Sequence, residues 1–151
     1  TELRYIPVFG LAFWLAGNIY INRKNKAKAW STMQSVAKTV QRRQCAVYIF
    51  PEGTRSKGQG MLPFKSGAFA LAIEAGLPIV PIVFSSTHKN IDLHKLHAGY
   101  ALGKFLEPVS TDGMGEEDVR PLADACRERM MQAVAELDAQ ADALQHKTPK
   151  R

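Results

Sequence analysis

Apolar residues recur at helical spacing in three stretches of the chain, and each stretch is predicted to be a helix. The first begins after Asn25, a residue type that is favoured at helix starts. The second spans residues 65–75, is apolar on most sides and is followed by Gly76, a typical helix stop. The third spans residues 119–144 and follows the acidic residues 116–118, which suit the positive end of a helix dipole.

Four short runs rich in β-branched or aromatic residues predict strands. They are residues 18–22, 45–50, 78–84 and, more weakly, 97–107. The runs at 45–50 and 78–84 are almost continuously apolar, which is typical of strands that are buried on both faces. Pro81 lies inside the third run and predicts an edge position or a bulge, because proline has no N–H to donate to a ladder.

The opening stretch, residues 5–17, is nearly continuously apolar. It is too short to span a bilayer as a helix, which needs about 20 apolar residues. We expect a helix packed into the core there, with a helix lying at a membrane interface as the alternative.

This order of elements predicts the fold class. Strands that alternate with helices are typical of an α/β domain, and we expect a central mixed, largely parallel sheet flanked by helices. The chain has no internal repeat and no Gly/Ser-rich linker. We therefore expect one domain over residues 1–144 and a basic, disordered tail over residues 145–151.

The charge of the chain is distributed unevenly along its length. The formal net charge is +6, but residues 1–73 carry +9 and residues 74–151 carry −3. A basic half of this size indicates an anionic partner, such as a nucleic acid, an anionic lipid surface or a phosphate-bearing substrate. A solvated basic surface without a partner is the alternative. Aromatic residues are not interleaved with the basic ones as a stacking platform, which argues against single-stranded nucleic acid.

The cysteines and histidines do not indicate a metal site. Cys45 and Cys126 belong to no CxxC or Cys/His pattern, so we expect two buried or half-buried thiols in a reducing compartment. His88, His94 and His97 are expected to be loop or surface residues. The sequence therefore predicts neither a metal nor a cofactor.

The segment that follows the run at 45–50 carries the clearest chemistry. Pro51 stops the run, and Glu52, Gly53, Thr54 and Arg55 follow it. Glycine lets a backbone approach a ligand closely, and the N–H groups of such a turn, a threonine hydroxyl and an arginine fork can together hold a phosphate. The alternative is a capped turn in which Glu52 and Arg55 pair with each other or with neighbours.

Arg23 is a second candidate for the same site. It follows the run at 18–22 in the way that the Gly53 turn follows the run at 45–50. If the two strands are neighbours, Arg23 and Arg55 converge on one cleft at the carboxyl ends of the strands, where open α/β sheets bind their ligands.

Three segments resemble signature blocks of the 1-acylglycerol-3-phosphate acyltransferase family. Phe50-Pro-Glu-Gly-Thr-Arg-Ser56 is similar to the third block of that family. Gly17-Asn-Ile-Tyr-Ile-Asn-Arg23 is similar to the second block, and Gly76-Leu-Pro-Ile-Val-Pro81 to the fourth. The segments occur in the order of the family, and the bacterial phospholipid-synthesis branch is the most similar.

The resemblance implies an activity and a set of partners. Members transfer a fatty acyl group from acyl-coenzyme A or acyl carrier protein to the sn-2 hydroxyl of lysophosphatidic acid, and they need no cofactor. It also implies that Arg23, Glu52, Gly53, Thr54 and Arg55 bind the acceptor. We expect attachment to an anionic membrane surface at the cytoplasmic face of the inner membrane, and no nucleic acid as a partner.

The sequence departs from the family in one respect. The first block, a His followed by an Asp five positions later, precedes the second block and supplies the general base, but no histidine lies before Gly17. We expect that block upstream of Thr1, so the domain would be incomplete at its N-terminus. General-base catalysis contributes about 10²–10⁴-fold. The 151-residue chain alone is therefore expected to be inactive.

Two other functions stay open from the sequence. One is a related acyltransferase that acts on glycerol-3-phosphate or on another lysophospholipid. The other is a non-catalytic module that binds anionic lipid or nucleic acid, which the basic half alone would permit.

Overall fold

The computed structural model of the chain describes residues 26–56, 58–86 and 99–147. It contains three α-helices, α1 (Lys26–Arg43), α2 (Gly67–Ala75) and α3 (Val119–Lys147), and two strands, β1 (Ile82–Phe84) and β2 (Gly103–Phe105). The predictions for residues 5–17 and 18–22, for Arg23 and for the three loop histidines fall outside the described residues.

Helix α2 lies in the interior, and its sequence explains why. Its nine residues include a single charged one, Glu74, and the side chains of Phe69, Ala70, Leu71 and Ala75 are buried. The helix ends at Gly76, whose φ of 62° is left-handed, and the N–H groups of residues 76 and 77 donate back to carbonyls of its last turn. The prediction of a buried helix stopped by Gly76 is confirmed, although the helix begins at Gly67 and not at Lys65.

Helix α1 packs along one side of α2. Val36, Ala37 and Val40 form a buried cluster with Leu71 and Ala75. Val40 lies four positions after Val36 and three after Ala37, so the three side chains share one helix face. The amphipathic helix predicted after Asn25 is therefore confirmed.

Helix α3 packs against the other side of α2 and then against the strands. Its first turns bury four side chains against Phe64, Phe69 and Ala70, namely those of Val119, Leu122, Ala123 and Cys126. Further along, Ala133 and Leu137 form a cluster with Val83 of β1. The predicted helix is confirmed, and it continues through residues 145–147, which had been assigned to the tail. Residues 148–151 are not described.

The two strands pair in antiparallel fashion, with Ile82 opposite Phe105 and Phe84 opposite Gly103. An isolated bridge joins Ile79 to Val109 on the other side of Pro81. Pro81 has no N–H, but its carbonyl accepts from Leu106 at 2.9 Å. The ladder is interrupted at the proline, as the sequence predicts.

The predicted sheet is confirmed only at the level of a mixed helix-and-strand fold. The described ranges contain a two-stranded antiparallel sheet and no parallel pair. Residues 45–50 are not a buried strand, since they pair with no described strand and Tyr48 and Phe50 are 62% and 72% exposed. A strand needs a neighbour to satisfy its backbone groups, and the candidate neighbour, residues 18–22, is not described.

Two smaller expectations are also corrected. Cys45 belongs to the same exposed run and is itself exposed, so only Cys126 is a buried thiol. Leu144 lies beyond the last buried residue of α3, Ala141, and is 38% exposed. Among the described residues, no helix is long and apolar enough to cross a bilayer.

The contrast between two leucines of α3 gives a test of this packing. Leu137 is 5% exposed and Leu144 is 38% exposed. Leu137→Ala should lower the free energy of unfolding by about 2–5 kcal/mol, because it leaves a cavity against β1. Leu144→Ala should lower it by less than about 1 kcal/mol. Chemical denaturation of the two variants measures both values, and equal losses would contradict the assigned burial.

Candidate functional site

The candidate site is the loop of residues 51–65, and its first turn is tight. The N–H of Gly53 donates to the carbonyl of Phe50 at 3.1 Å, and Gly53 has a φ of 67°. That left-handed conformation is costly for residues with a Cβ. The glycine is therefore required by the backbone, as the sequence indicated.

Two hydrogen bonds close the loop at its base. The carboxylate of Glu52 accepts from the N–H of Leu62 at 2.8 Å, and the carbonyl of Pro51 accepts from the N–H of Lys65 at 2.9 Å. Glu52 is half-buried and bridges the two arms of the loop. Its role is thus partly structural, which the sequence did not reveal, because residue 62 lies ten positions away.

The remaining predicted residues of the turn face outward. Thr54 and Arg55 are both exposed. Glu52 and Arg55, which both lie in the described part of the chain, do not form the ion pair expected of a simple capped turn. The guanidinium of Arg55 therefore remains available to an anion. Arg23 is not described, and its convergence with Arg55 stays a prediction.

Lys65 joins the site, although the sequence predicts it as the first residue of a helix. The structure places it two residues before α2, and its side chain folds back over Gly53. A Cβ built on Gly53 would lie 3.1 Å from the Cδ and Nζ of Lys65. The Ser-Gly pair that follows Lys65, at residues 66–67, is the signal that could have moved the helix start beyond it.

Two arginines of α3 hold the far arm of the loop. Arg127 donates to the carbonyl of Leu62 at 3.0 Å and to that of Met61 at 2.6 Å. Arg120 donates to the carbonyl of Phe64 at 3.1 Å. An arginine has five N–H donors in a fixed fork, so one side chain can satisfy several carbonyls of a segment that has no ladder of its own.

Asp124 orients one of these arginines. Its carboxylate accepts hydrogen bonds from Arg120 one helical turn away. These bonds hold the pKa of Asp124 below its ordinary value, and the charge of Arg127 acts in the same direction. Asp124 therefore stays ionised at neutral pH and keeps Arg120 directed across the surface of α3.

The arrangement can bind an anion, but its described residues contain no evident base or nucleophile. Burial raises the pKa of the Cys126 thiol, which disfavours the thiolate. His146, the histidine that the described ranges include, lies near the end of α3 and roughly 28 Å along the helix axis from Arg127. Within the same ranges no group of His, Cys, Asp and Glu is arranged to hold a metal ion.

The anchoring role of Arg127 can be tested against a neighbour on the same helix. Arg127→Met keeps the apolar stem but removes both hydrogen bonds to the loop, so amide hydrogen exchange in residues 58–65 should become roughly tenfold faster. Arg129→Met is the control, because Arg129 donates only a long bond of 3.4 Å to the carbonyl of Glu107. Equal exchange in both variants would rule out the anchoring role.

Comparison with known proteins places this loop in a family. A family model described as Acyltransferase matches residues 1–85, which include the whole loop. The 1-acyl-sn-glycerol-3-phosphate acyltransferase of Salmonella typhimurium is 46% identical over 137 residues, and that of Escherichia coli K12 is 45% identical. The human 1-acyl-sn-glycerol-3-phosphate acyltransferase alpha is 43% identical over 139 residues.

A solved structure is similar as well. The crystal structure of the 1-acyl-sn-glycerophosphate acyltransferase PlsC from Thermotoga maritima superimposes with a TM-score of 0.66 at 25% identity, covering 91% of this chain and 54% of that one. The bacterial relatives are covered over 91% of this chain and 56% of their own length, so the chain spans about half of the proteins that it matches. The chain belongs to the acyltransferase family.

Proposed function

We propose that the protein containing this chain transfers a fatty acyl group from an acyl thioester to the sn-2 hydroxyl of 1-acylglycerol-3-phosphate, which gives phosphatidic acid. The observation that carries the proposal is the closed loop 51–65, with an exposed arginine beside a left-handed glycine. Its support comes from bacterial and mammalian relatives that are named for this reaction.

The loop is suited to the acceptor's phosphate. Arg55 can bind two phosphate oxygens through its planar fork, and Gly53 lets the backbone approach the headgroup. Thr54 adds a hydroxyl donor, and Arg23 is proposed as a second guanidinium. Glu52 acts indirectly, since its carboxylate holds the loop closed through Leu62.

The chain's proposed contribution is to hold the acceptor. In the family that the sequence resembles, a His-x-x-x-x-Asp block accepts the proton of the hydroxyl, and the sequence does not contain that block before Gly17. The acyl donor is proposed to be acyl-coenzyme A or acyl carrier protein.

A membrane surface is the proposed place of action, because the acyl chain of the acceptor resides in lipid. Lys38, Arg42 and Arg43 are exposed on α1, and the last two form a basic final turn. Basic side chains near an anionic leaflet each contribute about 1 kcal/mol to binding. We place this surface at the cytoplasmic face of the inner membrane.

Arg55→Ala in the complete protein tests the phosphate site. Losing one hydrogen bond to a charged group should raise the KM for 1-acylglycerol-3-phosphate by roughly ten- to a hundredfold. The KM for the acyl donor should stay near its original value, because the donor does not use this guanidinium. Steady-state kinetics with each substrate varied in turn measures the difference.

Arg129→Ala serves as the control for that experiment, since its side chain contacts the carbonyl of Glu107 and not the loop. Unchanged acceptor kinetics in Arg55→Ala would contradict the assigned role. Profiling the unmodified protein with glycerol-3-phosphate and with other lysophospholipids decides whether a related acceptor is preferred.

Vesicle flotation tests the membrane surface. The double variant Arg42→Gln/Arg43→Gln should bind vesicles containing anionic phosphatidylglycerol roughly thirtyfold less strongly than the unmodified protein. The control, Lys104→Gln/Arg129→Gln, removes the same charge from the side of α3 and β2 and should have little effect. Equal binding to anionic and neutral vesicles would contradict the electrostatic part of the proposal.

A further inference from the structure

We propose that Lys65 supplies a further cation to the acceptor site and selects a phosphate monoester over a diester headgroup. This inference rests on the proposed function, because it names an additional binding residue of the same site. Lys65 lies outside the segment Phe50-Pro-Glu-Gly-Thr-Arg-Ser56 and outside the other two signature blocks, so none of the three blocks includes it.

The backbone fixes Lys65 beside the turn whatever its side chain does. Its N–H donates to the carbonyl of Pro51 at 2.9 Å, which brings residue 65 next to the start of the loop. The preceding residue, Phe64, is 3% exposed and stacks on Phe69 of α2 with ring centroids 6.0 Å apart. The α-carbon of Lys65 is thus held between a buried aromatic residue and the base of the loop.

The side chain of Lys65 is exposed to solvent and lies along the turn, over Gly53. Its Cδ, Cε and Nζ lie 3.1, 3.2 and 3.1 Å from the point that a Cβ on Gly53 would occupy. Such distances are too short for a comfortable contact, so any larger residue at position 53 would displace the ammonium group. A glycine is therefore required at position 53 for two reasons. Its φ of 67° is left-handed, and the side chain of Lys65 fills the space that a Cβ would occupy.

No acidic side chain within the described ranges accounts for this position of the ammonium group. In the part of the chain that the structure describes, Lys65 forms no ion pair, and the carboxylate of Glu52 is engaged by the N–H of Leu62. Helix α2 begins two residues later and has no acidic residue in its first turn. The positive end of its dipole therefore adds to the positive potential around Lys65. Cations on one loop repel one another, and an anion between them relieves the repulsion.

The charge of the bound group follows from this arrangement. A phosphate monoester carries about −1.5 to −2 at neutral pH, whereas a phosphodiester headgroup carries about −1. Arg55 provides a planar, bidentate partner and Lys65 a compact point charge. A site with both side chains is matched to the more highly charged monoester. Removing the charge of Lys65 should therefore weaken the binding of the monoester more than that of the diester.

The experiment compares Lys65→Gln, Lys65→Arg and Lys104→Gln in the complete protein. Lys65→Gln keeps the backbone bond to Pro51 and should raise the KM for 1-acylglycerol-3-phosphate roughly tenfold, with the donor KM unchanged. Lys65→Arg should restore most of the affinity, because it restores the charge. Lys104→Gln is the matched control, since that ammonium pairs with Glu136 at 3.3 Å on β2.

The selectivity is the kcat/KM for 1-acylglycerol-3-phosphate divided by the kcat/KM for a lysophospholipid with a diester headgroup. This ratio should fall severalfold in Lys65→Gln. A binding measurement accompanies the kinetics. Glycerol-3-phosphate should slow amide exchange in residues 51–67 of the unmodified protein, and this protection should be reduced in Lys65→Gln.

The outcomes separate the two proposals. If Arg55→Ala weakens the acceptor and Lys65→Gln does not, the role of Lys65 is wrong and the proposed function stands. If the protein transfers no acyl group to lysophosphatidic acid, the proposed function fails, and the glycerol-3-phosphate measurement still decides whether Lys65 binds phosphate. Equal protection in the unmodified protein and in Lys65→Gln would overturn the inference.

Discussion

Helix α2 packs against α1 on one side and against α3 on the other, and the position of the candidate site depends on that double burial. Leu71 and Ala75 face α1, whereas Phe69 and Ala70 face α3. Lys65 and Ser66 lead directly into the helix, so the end of the loop is joined to a buried element. Burial of apolar surface, which carries no chemical specificity, thereby determines where the charged side chains of the loop lie.

The loop depends on its neighbours for hydrogen bonding. The described residues of the loop, 51–56 and 58–65, form no regular helix or strand, and backbone groups without a ladder must find other partners. Glu52 satisfies one N–H, and Arg120 and Arg127 satisfy three carbonyls from a helix more than fifty positions further along the chain. The site therefore has two parts. Residues 53–55 would contact the ligand, and the distant residues Arg120 and Arg127 hold the conformation of the loop.

The helices and the turn were predictable because their signals are local. Apolar spacing, Gly76 and the left-handed requirement at Gly53 can all be read within a few residues. The buried strand predicted at residues 45–50 has no partner among the described residues, and strand pairing is a long-range property that an apolar run does not reveal. Arg127 and Lys65 were missed for the same reason, since neither their sequence context nor their charge indicates a contact with the loop. The small antiparallel sheet likewise follows from tertiary contacts.

The two thiols differ in a way that has a practical use. Cys126 is 2% exposed within the α2–α3 cluster, and its raised pKa keeps it protonated, whereas Cys45 is exposed six residues before Pro51. A thiol-reactive fluorophore should therefore attach at a single position without mutagenesis. The attached dye would lie on the segment that leads into the loop, six residues before Pro51.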